Sequence, residues 1–147
     1  MKLETENSTI LEGSQIHLPF GLIGLSDLQR FELMQIENSW PFISMRSVGG
    51  DEINFVVFEP QGLIPGYEIE LSDEDADCLQ IQSADDALVL NIVTILSMRP
   101  QYVTVNLIGP IVVNRNTFIA KQVIIANAEK FSTRHPLIDE RSNASPC

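Results

Sequence analysis

The chain is 147 residues long and 44% hydrophobic, with a formal net charge of −11 and a mean hydropathy of +0.08. That length suits one domain with a real core, and the apolar content excludes a disordered chain, which could not offset its ordering entropy. The charge excludes a phosphate-binding surface as the main feature: Ser47–Met98 holds Asp51, Glu52, Glu59, Glu68, Glu70, Asp73, Glu74, Asp75, Asp77, Asp85 and Asp86 and no Lys or Arg, so nucleic acid is repelled and a basic partner is the complement.

Short runs rich in Val, Ile, Phe and Thr, bounded by turn residues, predict strands at Lys2–Glu6, Gln15–Leu18, Arg30–Ile36, Phe42–Ser47, Ile53–Phe58 and Glu68–Leu71. Further strands are expected at Ala87–Leu96, Val103–Val113 and Thr117–Ala126. The fold class is mainly β: a small single-domain, barrel-like fold of short antiparallel strands with one or two short helices. Gly21 to Gly24 has G-x-x-G spacing without a neighbouring Lys or Arg, and reads as an apolar turn packed on the core rather than a nucleic-acid clamp. Gly49 and Gly50 predict a hairpin between two strands, and "VVNRNTF" a second, with Asn114 and Asn116 suited to left-handed backbone. Gly109-Pro110 should bend the strand that contains it, because Pro cannot donate to the ladder.

Helical signal is confined to the stretch after Leu71. "SDED" (Ser72–Asp75) reads as a capping box, with the Ser72 hydroxyl on the Asp75 amide and the Asp75 carboxylate reaching back, opening a helix over Asp73–Gln80. Residues 1–137 form the domain, and 138–147 have the composition of a flexible tail. Cys78 and Cys147 make no disulfide framework, no apolar signal segment opens the chain, and "ALVLNIVTIL" is too short to span a bilayer. The expectation is a reduced cytoplasmic protein without membrane contact.

Reaction centres are not legible. Asp73, Asp75 and Asp77 would fill the first, third and fifth positions of a calcium loop, but Cys78 stands where Gly is needed and Ala84 where Glu is needed. His17 reads as a solvent-facing strand residue and His135 as a loop residue, neither with ligand-spaced partners. The expectation is no cofactor, no metal and no catalytic residue: a binding protein, not an enzyme.

Several blocks in collinear order resemble the bacterial flagellar assembly factor FliW family. They are "MKLET", "FGLIGLSDLQRFEL", "INFVVFEP", "PGYEIELSDED", "NIVTI", "TVNLIGPIVVN", "KQVII" and "FSTRHPL", spanning roughly residues 1 to 137. The resemblance implies a monomer that binds two partners in turn: a CsrA-type translational regulator, which represses flagellin messenger RNA, and flagellin itself. It implies no direct nucleic-acid contact. Asp73, Glu74, Asp75 and Asp77 become candidates for the regulator, and Leu63, Ile64 and Tyr67 for an apolar groove that takes flagellin. Asn106 is expected to orient backbone, with Leu107 and Pro110 packing beside it or touching a partner. Arg134 and His135 touch a partner or close the barrel. The chain departs from the family pattern at Glu59, where Asn is usual, at Gly62, Leu63 and Ile64, where aromatics are common, and at Val105, where Ala is frequent. Two alternatives stand beside the partner switch: a flagellin-only cytoplasmic chaperone or paralogue without CsrA control, and an unrelated enzyme or carbohydrate-binding barrel, whose mark would be a deep apolar pocket.

Overall fold

A computed structural model describes residues 1–3, 13–50, 52–60 and 62–141. Part of the strand expected at Lys2–Glu6, the tail from 142 onward and Cys147 lie outside them. The described strands are β1 (Lys2–Leu3), β2 (Gln15–His17), β3 (Arg30–Gln35), β4 (Phe42–Ser47), β5 (Asn54–Phe58), β6 (Ile69–Glu70), β7 (Ala87–Met98), β8 (Gln101–Val105), β9 (Ile111–Asn114), β10 (Ala120–Gln122) and β11 (His135–Asp139). A helix, α1 (Asp73–Leu79), follows β6, and 3-10 turns occupy Ala84–Asp86 and Ala128–Lys130.

The main sheet runs β10-β9-β7-β5-β4-β3-β2, with β8 branching from β7 and β11 from β8; β1 and β6 form a separate pair. Every pairing between strands is antiparallel. The expected barrel does not close as a ladder. Among the described residues the two ends of the sheet approach at one isolated bridge, from His17 of β2 to Ile119, the residue before β10, where the His17 amide donates to the Phe118 carbonyl at 2.9 Å.

Strand β7 explains its own sequence. Leu88 and Leu90 face one core with Ile16, Leu18, Phe31, Met45 and Ile111, while Ala87, Val89 and Val93 face a second with Phe58, Ile69, Leu79, Val105 and Val112. A strand buried on both faces needs apolar residues at consecutive positions, so "ALVL" loses the usual alternation. Its N-terminal half pairs with β9 and its C-terminal half with β8, so β7 is the wall between the two cores.

Three sequence expectations are corrected. The strand expected over Val103–Val113 is two strands, β8 and β9, because the chain turns through Asn106–Pro110. In the β9–β10 hairpin the left-handed residue is Phe118, at φ 60°, not Asn114 or Asn116. Asn114 instead supplies its side-chain oxygen to the amides of Asn116 and Thr117, at 2.8 and 3.2 Å, which builds an Asx turn and moves the strained dihedral to the far end. His135 is a strand residue, not a loop residue: β11 pairs with β8 and continues past Leu137 to Asp139. The Glu140 amide extends the ladder to the Gln101 carbonyl at 2.9 Å, and the Arg141 guanidinium lies 3.5 Å over the Tyr102 ring. Residues 138–141 are therefore tied to the domain. The signal was weak because β11 is half-exposed, contains Pro136 and is bulged between Pro136 and Ile138, as edge strands commonly are.

Candidate functional site

Helix α1 begins where Ser72 can satisfy an orphan amide: its hydroxyl accepts from the Asp75 N–H at 3.1 Å. Asp73, Glu74 and Asp75 occupy the first turn, at the positive end of the backbone dipole. Ala76 and Leu79 anchor the helix to the core, and Gln80 ends it in left-handed conformation, its N–H directed at the Ala76 and Asp77 carbonyls. Asp73, Glu74, Asp77 and Cys78 consequently face solvent. The reciprocal half of the expected capping box is absent at this helix. Asp75 turns its carboxylate to the Lys121 ammonium at 2.6 Å, since an ammonium is a stronger partner than an exposed amide. That hydrogen bond raises the Lys121 pKa, against a smaller opposing effect of burial. A complete capping box forms instead at the following 3-10 turn, Ala84–Asp86, between Ser83 and Asp86.

A buried polar network holds the turn that the "NLIGP" segment makes. The Tyr67 hydroxyl donates to the Leu107 carbonyl at 2.7 Å and accepts from Asn91 Nδ2 at 3.0 Å. The same Asn91 nitrogen donates to the Asn106 carbonyl at 3.0 Å. Asn106 Oδ1 then accepts from the amides of Ile108 and Gly109, at 3.0 and 2.9 Å. Asn106 thus orients backbone, as its place in the motif suggested. Burial pushes the Tyr67 hydroxyl up to about 12, against the opposing pull of its Asn91 hydrogen bond. Phe131 packs edge-on against the Tyr67 ring at 5.0 Å between centroids.

These positions divide the candidates. Asp73, Glu74 and Asp77 form an outward acidic face, with Asp75 already paired. Leu107 and Pro110 are buried, so they pack rather than present themselves to a partner. Ile64 and Tyr67 are also in the core, leaving Leu63, 38% exposed, as the outward member of the proposed groove. Arg134 is exposed and His135 half-buried beside β8. Glu59 and Val105 are both buried, which makes those departures from the family pattern core substitutions.

The Gly21–Gly24 turn packs on the core less fully than its sequence predicts: Gly21 and Leu22 are buried, Leu22 at 3% exposure, whereas Phe20, Ile23 and Leu25 project outward. Sequence carried no period from which to tell these orientations apart, because the loop belongs to neither a helix nor a strand. An open cleft of about 590 Å³ lies between the end of α1 and the β9–β10 hairpin, lined by Asp77, Gln80, Gln82, Asp86, Asn116 and Thr117 among others. Asp86 is already engaged there by Asn116 Nδ2 and the Ser83 amide. Among the described residues no group of three or more His, Cys, Asp or Glu side chains converges as metal ligands, and no helix is long and apolar enough to cross a membrane.

The fold and surface define a class: an antiparallel β domain with an acidic helix face and outward apolar side chains. The model of the FliW protein family matches residues 2–137. The chain is 38% identical over 143 residues to the flagellar assembly factor FliW of Clostridium novyi, covering 95% of this chain and 99% of that one. It is 38% identical over 130 residues to the FliW of Geotalea uraniireducens, covering 88% and 78% respectively. A crystal structure of the flagellar assembly factor FliW superposes with a TM-score of 0.74 at 34% identity, over 91% of this chain and 92% of that one. The chain belongs to the FliW family of flagellar assembly factors.

Proposed function

We propose that this flagellar assembly factor works by protein capture: it holds a CsrA-type translational regulator, relieving repression of flagellin messenger RNA, and alternately holds flagellin. The observation that carries this reading is the outward carboxylate face of α1, Asp73, Glu74 and Asp77, within a stretch of chain that has no Lys or Arg. An RNA-binding regulator is basic, so it meets complementary potential here, while RNA phosphates meet repulsion. The protein acts as a monomer in the cytoplasm, without cofactor or catalysis.

The test is titration calorimetry of the protein with the regulator from its host, then with flagellin, then in competition. Binding of both, with flagellin displacing the regulator, supports the switch. An affinity for the regulator that is unchanged from low to high salt removes the electrostatic part of the reading. A second reading, a flagellin-only chaperone, is favoured by the exposed Ile95, Leu96 and Met98 along the C-terminal half of β7, which suit the apolar helical surface of unexported flagellin. Reversing the charge of Asp73, Glu74 and Asp77 separates the two: it cripples regulator binding under the switch and leaves flagellin binding intact under the chaperone reading.

A further inference from the structure

The loop between β2 and β3 exposes large apolar side chains on a backbone that is held fixed. Phe20 and Ile23 are 61% and 60% exposed. The Gly21 amide donates to the Leu18 carbonyl at 2.9 Å, and Leu22 and Leu25 exchange backbone hydrogen bonds at 3.2 and 2.8 Å. Gly21 sits at φ 67° and a Cβ there would lie 2.5 Å from the Ser26 carbonyl oxygen, so the turn tolerates no other residue without rearrangement. The Ile23 amide donates to Gln122 Oε1 at 2.8 Å, and Gln122 Nε2 donates to the Gly109 carbonyl at 3.1 Å. The loop is thereby clamped to the chain that leaves β10, where Ile124 is 56% exposed.

The acidic helix adjoins this apolar surface through Lys121. Its ammonium lies 5.5 Å from the centre of the Phe20 ring and 2.6 Å from the Asp75 carboxylate. Glu74 precedes Asp75 in the first turn of α1 and faces solvent, so the acidic start of the helix borders this contact. Asp75 thus neutralises Lys121, and the solvent-facing Asp73 and Glu74 of the same helical turn add net negative charge beside the pair.

We infer that Phe20, Ile23 and Ile124, edged by Glu74 and Asp73, form the docking surface for a protein segment with apolar side chains at its centre and Lys or Arg at its margin. Rigid, outward aromatic and aliphatic groups beside a polar edge are the anatomy of an interface centre, and a clamped loop loses little entropy when covered. The carboxylates select the occupant. They oppose nucleic acid and anionic lipid, and they complement a basic segment. This assignment rests on the regulator reading above and adds the apolar contacts that give such a complex its lifetime, charge mainly setting the encounter rate.

The experiment titrates the host's CsrA-type regulator and, separately, flagellin into the wild-type chain and into Phe20→Ser/Ile23→Ser, Glu74→Lys and, as a control, Leu96→Ser/Met98→Ser. Each variant is first matched to the wild type in melting temperature and circular dichroism. In parallel, alkylation of Cys78 is followed in a Cys147→Ser background with and without the regulator. The loop variant is expected to weaken the regulator at least roughly tenfold. Glu74→Lys is expected to weaken it with a reduced salt dependence, the β7 control to leave it unchanged, and bound regulator to slow Cys78 alkylation. Regulator binding that is equal in wild type and loop variant, with Cys78 unprotected, overturns this surface and leaves the proposed function standing. Flagellin binding lost in the loop variant while the regulator is unaffected overturns the basic occupant. A wild-type chain that binds neither protein overturns the proposed function, and the docking assignment with it.

Discussion

Replacing Tyr67 by Phe removes one oxygen from the centre of the network that joins β7 to the Asn106–Pro110 turn. The Leu107 carbonyl loses the donor that it holds at 2.7 Å, while Asn91 Nδ2 keeps the Asn106 carbonyl and the ring keeps Phe131. A buried carbonyl left without its donor costs about 1–3 kcal/mol, which is the loss expected at neutral pH. A second signature comes from titration. The Tyr67 pKa rises from 10.0 unfolded to about 12 folded, so between these values the unfolded state binds fewer protons than the folded one. Wild-type stability therefore stands in full below pH 10 and falls as pH climbs toward 12, by about 1.4 kcal/mol at pH 11 from this group alone. Lys121, also raised in the folded state, loses its contribution over a similar alkaline range, but it does so in both proteins and cancels in the difference. The assay is urea unfolding followed by circular dichroism at pH 7, 9, 10 and 11 for both proteins. The stability gap should narrow above pH 10; a gap of constant size across that range would refute the buried, proton-holding role of Tyr67.

Four further substitutions test the local geometry. Gly21→Ala forces both a left-handed alanine and a 2.5 Å approach to Ser26 and should destabilise by about 2–4 kcal/mol. Gly24→Ala, at φ 83° in open space, should cost only about 1 kcal/mol in the same thermal melts. Asn106→Ala strips the acceptor from the Ile108 and Gly109 amides; a loss of about 1–3 kcal/mol is expected, with faster hydrogen exchange at those two amides. Ser72→Ala removes the α1 cap, worth about 1 kcal/mol in denaturant titrations, and should leave the Asp75–Lys121 pair in place.

The sequence by itself determined what local chemistry and period can encode. Alternating and continuous apolar runs located eight of the strands, Gly49-Gly50 marked the β4–β5 hairpin, and Ser72 with three acids after it marked the helix start. The acidic excess between Ser47 and Met98 needed only counting. Collinear motifs carried the family, because each records a structural demand, such as Asn106 closing its own turn. Tertiary structure alone decided the partners of side chains that lie far apart in the chain. Asp75 could have closed its capping box, but a lysine 46 residues away outcompeted the amide. Tyr67 reads as a groove candidate and Leu107 as either packing or touching a partner; packing puts both in the core, 40 residues apart and joined by one hydrogen bond. Strand β11 exists because β8 offers it an edge, a condition its own composition does not express. The outward aim of Phe20 and Ile23 follows from the clamp between the Ile23 amide and Gln122, a contact across 99 residues. A charge count is a sum over the chain, but a surface is an arrangement, and only the packing of distant segments fixes which groups share it.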